Sequence, residues 1–596
     1  MSAELSYKAI ARKKLEQLNS RIPQEWQLSS QWIPAGMLSP EESVMVTNKY
    51  EAVNVMDVPR NCGLLKPKEL QITERLDVKG LLHEIASGKL SAREVSEAFC
   101  KRAAISHQLT RCITEPLFEQ ALARASELDA HLKRTGKLIG PLHGLPISVK
   151  DSYDIKGFDS TIGLVSLAFK PATENAPLVD LLFDLGAIIV AKTNIPQTLG
   201  ALDSVNNLFG RTLNPLNLKL TPGGSSGGEA VLVAMRGSMI GIGTDIGGSI
   251  RIPAMCLGIY GFKPSVGRFP FGSPSSRASA SKMRVGLQAV GGPIARSMGD
   301  IDVLMKEVVP RAELYGEDCI PGQWGASETP PLLLAKPRKF TIGILPSDGR
   351  IQPLPPIAKV LNEVAQTLRN IPGVEVVEIP IPDALGDCQR VANDLMGLDG
   401  AGSMADLIEA TAEPLIPWLQ TRFKRGTPKT LAQACAIQGR RAELEREMLK
   451  MWTLPLPSLR SSSPDIEPRA RKVDAIIHPI APHPVPEHDR YNAVGYTSSW
   501  VLLDYAAGAV PVRKFTEADL ELGREMEGKI LSSWDKRNRE LWNSSTVDRR
   551  VYLDSPLSIQ VITPKLHEND LFKAMSIIDS AVRGQSTRGS GKGSKL

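Results

Sequence analysis

The chain has 596 residues, 71 of them Lys or Arg and 65 Asp or Glu, for a net charge of +6. Hydrophobic residues make up 42%, charged residues 23% and aromatics 5%. This is an ordinary globular balance that excludes a collagen, a disulfide scaffold and a mostly disordered chain, and its charge is too weak to argue for nucleic acid. The length alone allows three or four domains of about 150 residues or one oversized enzyme domain, and either buries a large core without a metal or disulfide staple.

The seven cysteines, Cys62, Cys100, Cys112, Cys256, Cys319, Cys388 and Cys435, are scattered and form no C-x-x-C pair. A reduced compartment is the simplest reading. The N-terminus is polar and lacks the apolar run of a secretory signal. The longest apolar candidate, Leu181 to Ala191, is too short to span a bilayer.

In chain order, Tyr7 to Ile22 carries apolar residues at loosely helical spacing and opens an N-terminal helical arm over 1–69. Leu76 to His107 reads as two helices, with Ser91 and Glu94 forming a capping box at the start of the second. Leu117 to Leu132 is a further helix. From Gly140 the texture changes to short apolar runs among Gly, Ser and Pro. Leu145 to Lys150 and Ala187 to Lys192 read as buried strands, with a helix at Val179 to Leu185 between them. Alternation returns with Phe340 to Leu345, Ile357 to Ile371 and Ala475 to Ile480. This pattern predicts a mixed α/β core in one large domain over 70–582. Pro264 to Met283 and Leu454 to Pro468 read as surface loops. From Arg583 the chain is Gly-, Ser- and Arg/Lys-rich, which predicts a disordered tail over 583–596. It ends Ser594-Lys595-Leu596, an address read by the peroxisomal import receptor, so a peroxisomal location is expected, with the cytoplasm as the alternative.

Chemistry concentrates between Lys150 and Ser249. The run from Thr221 reads T-P-G-G-S-S-G-G-E, and a second cluster reads G-T-D-I-G-G-S-I-R-I-P. Glycines let a backbone approach a ligand closely, and successive N–H groups of such a loop form an anion-binding nest. Ser249 lies between this nest and a helix whose first turn suits Pro253, a setting that fits a nucleophile beside an oxyanion hole. The phosphate-loop and nucleophile-elbow patterns are absent. His478, His483 and His488 recur every five residues in a proline-rich stretch, which is not helical metal-ligand spacing. Lys150 is the better base: it closes an apolar strand, and a lysine drawn into a core loses affinity for its proton.

Taken together, these motifs resemble the amidase signature family. The resemblance rests on H-G-L-P-I-S-V-K-D at 143–151, G-G-S-S-G-G-E at 223–229, G-I-G-T-D-I-G-G-S-I-R-I-P-A at 241–254 and G-I-Y-G-F-K-P at 258–264. Gln24-Glu25-Trp26, Gly210-Arg211-Thr212 and the Tyr496 to Pro511 segment look like the fungal, acetamidase-like branch. The resemblance implies an amidase-signature α/β fold, a single large domain with a central mixed β-sheet covered by helices. It implies Lys150 as catalytic base, Ser225 as bridging serine after a cis peptide, and Ser249 as nucleophile. It further implies an oxyanion hole from the N–H groups of Ile246, Gly247, Gly248 and Ser249, with Asp245 and Arg251 supporting that loop. The implied reaction is hydrolysis of a small-molecule amide through a Ser249 acyl-enzyme, without metal or cofactor, and a homodimer is the family-level expectation. The chain departs from the family at Leu553 to Thr563, where the usual leading His-Gly is missing but Gln560-Val561-Ile562 remains. Two alternatives stand beside a free-standing amidase: a glutamine-dependent amidotransferase subunit, and a non-catalytic scaffold on the same fold. Candidate pocket segments are Asp394 to Ala405, Trp418 to Phe423 and Tyr491 to Trp500.

Overall fold

The computed structural model describes residues 6–47, 49–271, 285–325, 339–454, 471–523, 525–526 and 528–589. Most of both expected loops, at 264–283 and 454–468, lies outside them, as does the terminal Ser-Lys-Leu.

Eleven strands form one sheet: β1 (Ile113–Pro116), β2 (Pro146–Lys150), β3 (Ile188–Thr193), β4 (Ile240–Asp245), β5 (Tyr260–Lys263), β6 (Val290–Ala295), β7 (Phe340–Ile344), β8 (Val374–Glu378), β9 (Ala475–Pro479), β10 (Ala506–Lys514) and β11 (Pro556–Thr563). Their order across the sheet is β1-β3-β2-β4-β6-β5-β10-β11-β9-β7-β8. Strands β3, β2 and β4 run parallel, as do β9, β7 and β8. The stretch from β4 through β6, β5, β10 and β11 to β9 is antiparallel throughout. The sheet is therefore mixed, as the alternating pattern predicts.

Helices cover both faces. Burial alternates by face along a strand: Ile147 and Val149 enter one apolar cluster, while Ser148 and Lys150 point the other way. The predicted capping box at Ser91 and Glu94 is present and starts the helix Ala92–Thr110. A helix Gly227–Ala234 follows the first glycine–serine cluster, and the predicted helix carrying Pro253 runs Arg251–Leu257.

The N-terminal arm is docked onto the sheet edge. Its helix Tyr7–Ser20 buries Lys14, whose ammonium donates to Asp159 at 2.7 Å and to Glu115 on β1. Arg21 makes a second ion pair with Glu115. At the other end the helix Glu568–Gly589 covers the first seven residues of the expected tail. Leu571, Ala574, Met575 and Ile578 of this helix pack into the main core. All seven cysteines are unpaired thiols.

Candidate active site

The sheet brings Lys150 and Ser225 together. Lys150 ends β2 with no exposed surface, and its Nζ lies 2.7 Å from Ser225 Oγ and 2.7 Å from Thr244 Oγ1. Thr244 lies on β4, the parallel neighbour of β2. Burial brings the Lys150 ammonium down from 10.5 to about 7, although Asp245, Glu229 and Asp151 pull the other way. Below it, Glu229 on the helix Gly227–Ala234 accepts from Ser148 at 2.5 Å and from Thr193 at 2.7 Å. Its carboxyl is pushed up to about 8, chiefly by burial. Both groups are thus neutralised by the dry site more than ionised by each other.

Ser225 sits on a tight loop whose Gly224–Ser225 peptide is cis. A side chain at Gly224 is impossible: a Cβ there would stand 2.5 Å from the Ala201 carbonyl oxygen. Ser204 brackets the loop, its Oγ accepting from the Gly227 N–H and donating to the Gly223 carbonyl, each at 3.0 Å.

Ser249 lies in the turn between β4 and the helix Arg251–Leu257, and 7% of it is exposed. Asp245 organises this turn. Its Oδ1 accepts the Gly248 N–H at 2.7 Å and its Oδ2 accepts the Ile250 N–H at 3.2 Å. Arg251 closes a two-pronged ion pair on the same carboxylate, at 3.1 Å for both contacts. Burial pushes the Asp245 carboxyl upward, but Arg251, Lys263 and the Ile250 N–H together hold the group below its ordinary value. Gly248 has φ +127° and abuts the Thr497 hydroxyl, so only glycine fits.

The four expected donors are not equivalent. The Gly248 N–H is turned back onto Asp245, whereas among the described residues the N–H groups of Ile246, Gly247 and Ser249 have no acceptor. The distinction follows from the Asp245 carboxylate, which competes for the nearest amide.

Three positioning residues escape a reading of the sequence. Thr244 fixes Lys150. Thr497 donates to the Gly247 carbonyl at 2.5 Å and offers its own carbonyl to Arg251 at 3.0 Å. Gln560 on β11 accepts from Arg251 at 2.9 Å and donates to the Pro479 and Tyr496 carbonyls. The departure at Leu553 to Thr563 thus adjoins the site in space, and the surviving Gln560 is the residue that reaches it. The Tyr491 to Trp500 segment, expected to line a pocket, supplies this support through the helix Gly495–Leu502.

Arg251→Met leaves Asp245 buried without its cation. The expected cost is about 3–5 kcal/mol, read as a lowered urea midpoint. A midpoint equal to the parent's would show that the pair does not hold the turn.

The model of the Amidase family matches residues 94–572. An amidase of Gibberella zeae is 34% identical over 588 residues, covering 97% of this chain and 100% of its own. The acetamidase of Aspergillus oryzae is 34% identical over 568 residues, covering 94% of this chain and 96% of its own. Among solved structures, fatty acid amide hydrolase superimposes with a TM-score of 0.79 at 27% identity, over 96% of this chain and 94% of that one. With the matched family model spanning most of its length and fungal relatives aligned nearly end to end, the chain belongs to the amidase signature family and is an amide hydrolase.

Proposed function

We propose that this enzyme hydrolyses linear carboxamides through a serine–serine–lysine relay and a Ser249 acyl-enzyme. The observation that carries the reading is the desolvated Lys150 ammonium, 2.7 Å from Ser225, beside a turn with three N–H groups that have no acceptor among the described residues.

Neutral Lys150 keeps one N–H on Thr244, which leaves its lone pair for the Ser225 proton. Ser225 in turn takes the proton of Ser249 as that oxygen attacks the amide carbon. The carbonyl π pair moves onto oxygen, where the N–H groups of Ile246, Gly247 and Ser249 meet it. Donors in comparable sites are worth about 3 kcal/mol each. When the C–N bond breaks, the relay returns its proton to the leaving amine, and water then cleaves the Ser249 ester. The Asp245–Arg251 pair keeps the donors aimed without moving during reaction. The names of the relatives, acetamidase and fatty acid amide hydrolase, bracket the acyl sizes to be tried, from acetamide to long-chain amides.

A serine-directed fluorophosphonate should label the purified enzyme at one site. Mass spectrometry should place the adduct on Ser249. Labelling at another serine, or none under conditions where amide turnover proceeds, would contradict the relay.

A further inference from the structure

The three histidines at 478, 483 and 488 end in different surroundings. His478 Nδ1 lies 2.8 Å from the Leu345 carbonyl. His483 Nδ1 meets the Pro484 carbonyl at 2.8 Å while its Nε2 accepts the Asn492 N–H at 3.2 Å. One ring proton satisfies each, and burial pushes both down to about 4. His488 differs. Its Nε2 is 2.9 Å from the Leu218 carbonyl and its Nδ1 is 3.2 Å from Asp203 Oδ2. Both partners only accept. A neutral imidazole has a single N–H, so one contact would set lone pair against lone pair; an imidazolium satisfies both.

The surrounding charges agree. Asp203 and Asp489 face the buried Arg211, which bonds both carboxylates, and the Asp489 N–H donates to Asp203 Oδ2 at 3.2 Å. The Asp203 carboxyl, which Arg211 and His488 hold below its ordinary value against the pull of burial, is the anion that a charged His488 faces. The remaining titratable neighbours are the Tyr50 phenol, its ring 5.6 Å away, and the Cys256 thiol, both raised by burial and hence uncharged. Arg111 lies beyond Tyr50, and Glu487 is taken up by Arg490 at 2.9 Å.

What His488 bridges is the mould of the Ser225 loop. Asp203 adjoins Ser204, which brackets Gly223 to Gly227. Leu218 belongs to the strand of chain entering the loop, whose Thr221 N–H donates to Pro486 at 2.9 Å and whose Thr221 hydroxyl accepts the Gly223 N–H at 3.0 Å. We infer that His488 is held as an imidazolium and acts as a charged staple across the two limbs that position Ser225. It is a positioning residue, remote from the substrate, and its role rests on the relay reading of the site.

Two substitutions test it. His488→Gln, neutral and without a second donor axis, should lower kcat by about 10–100-fold with little change in KM, the scale of a misplaced reacting group. His488→Lys, cationic with three donors, should recover most of that loss. A purely structural role would make turnover follow melting temperature in both variants regardless of charge. Should neither variant fold, 15N spectra of the histidine-labelled His567→Asn protein at pH 8 should still show one ring with both nitrogens protonated. Parental kcat in His488→Gln, or a spectrum with no such ring, overturns the staple. Fluorophosphonate labelling separates the two readings. If the relay is wrong, the parent's Ser249 stays unlabelled; if only the staple is wrong, His488→Gln labels at the parental rate.

Discussion

Ser249→Ala is expected to lose about 10^4–10^6-fold in kcat, the range seen when a serine nucleophile that works as part of a relay is removed. The loss is large because the remaining donors at Ile246, Gly247 and position 249 have no covalent intermediate to stabilise. Water attacking directly would also have to be positioned by a site built around a side-chain oxygen. Stability should barely change. The substitution removes one small oxygen on a turn fixed by Asp245, whose contacts to Gly248, Ile250 and Arg251 do not involve the Ser249 side chain. The check is ammonia release by the purified variant beside its thermal melt. Turnover within tenfold of the parent by a cleanly folded variant would refute the nucleophile.

Lys150→Met is expected to cost about 10^2–10^4-fold in kcat, the usual span for a general base. It also carries a sign in the stability that separates it from ordinary core damage. In the folded enzyme the ammonium loses its proton near pH 7, whereas in the unfolded chain it does so near 10.5. Between those values the unfolded state binds more protons, so the parent gains stability as pH rises through that window. Near and below pH 7 the buried lysine is a liability. Met at this position removes it, so the variant should melt no lower than the parent at pH 7 and should show a flatter dependence of stability between pH 7 and 10. The activity of the parent should fall as pH drops below about 7, because a protonated Lys150 cannot accept from Ser225. A parent whose kcat/KM stays constant from pH 8 to pH 5, or a variant with near-parental turnover, would remove Lys150 from the reaction.

The residues of the proposed relay carry a signal in the sequence, and those that aim them do not announce that role. Lys150 stands at the end of an apolar run, and the two glycine–serine clusters announce close backbone approach, so local composition carries the signal. Thr244, Thr497 and Gln560 fall inside quoted motifs, but nothing local marks them as positioning residues. Each acts through a partner far away in sequence, as Gln560 does through Arg251. Strands β4, β5 and β6 were hard to see for a related reason. They hold Gly241, Gly243, Gly261, Gly291 and Gly292, residues that weaken any strand signal. The structure explains their presence: a Cβ on Gly241 would stand 2.3 Å from Glu229 Oε2, and one on Gly292 would stand 2.2 Å from the Phe262 carbonyl oxygen. Close packing around the site outweighs strand propensity.

The place of β11 has a consequence for how the enzyme comes into being. Among the described residues it is the last strand made, yet it lies inside the sheet, between β10 and β9. A ribosome-bound chain that has already produced Lys150, Ser225 and Ser249 still lacks the strand that carries Gln560 to Arg251. Until then β10 and β9 each expose an unpaired edge, a template for sticking to other chains. Hydrolytic competence should therefore arrive late in synthesis and all at once, and nascent chains stalled before residue 556 should be clients of holding chaperones.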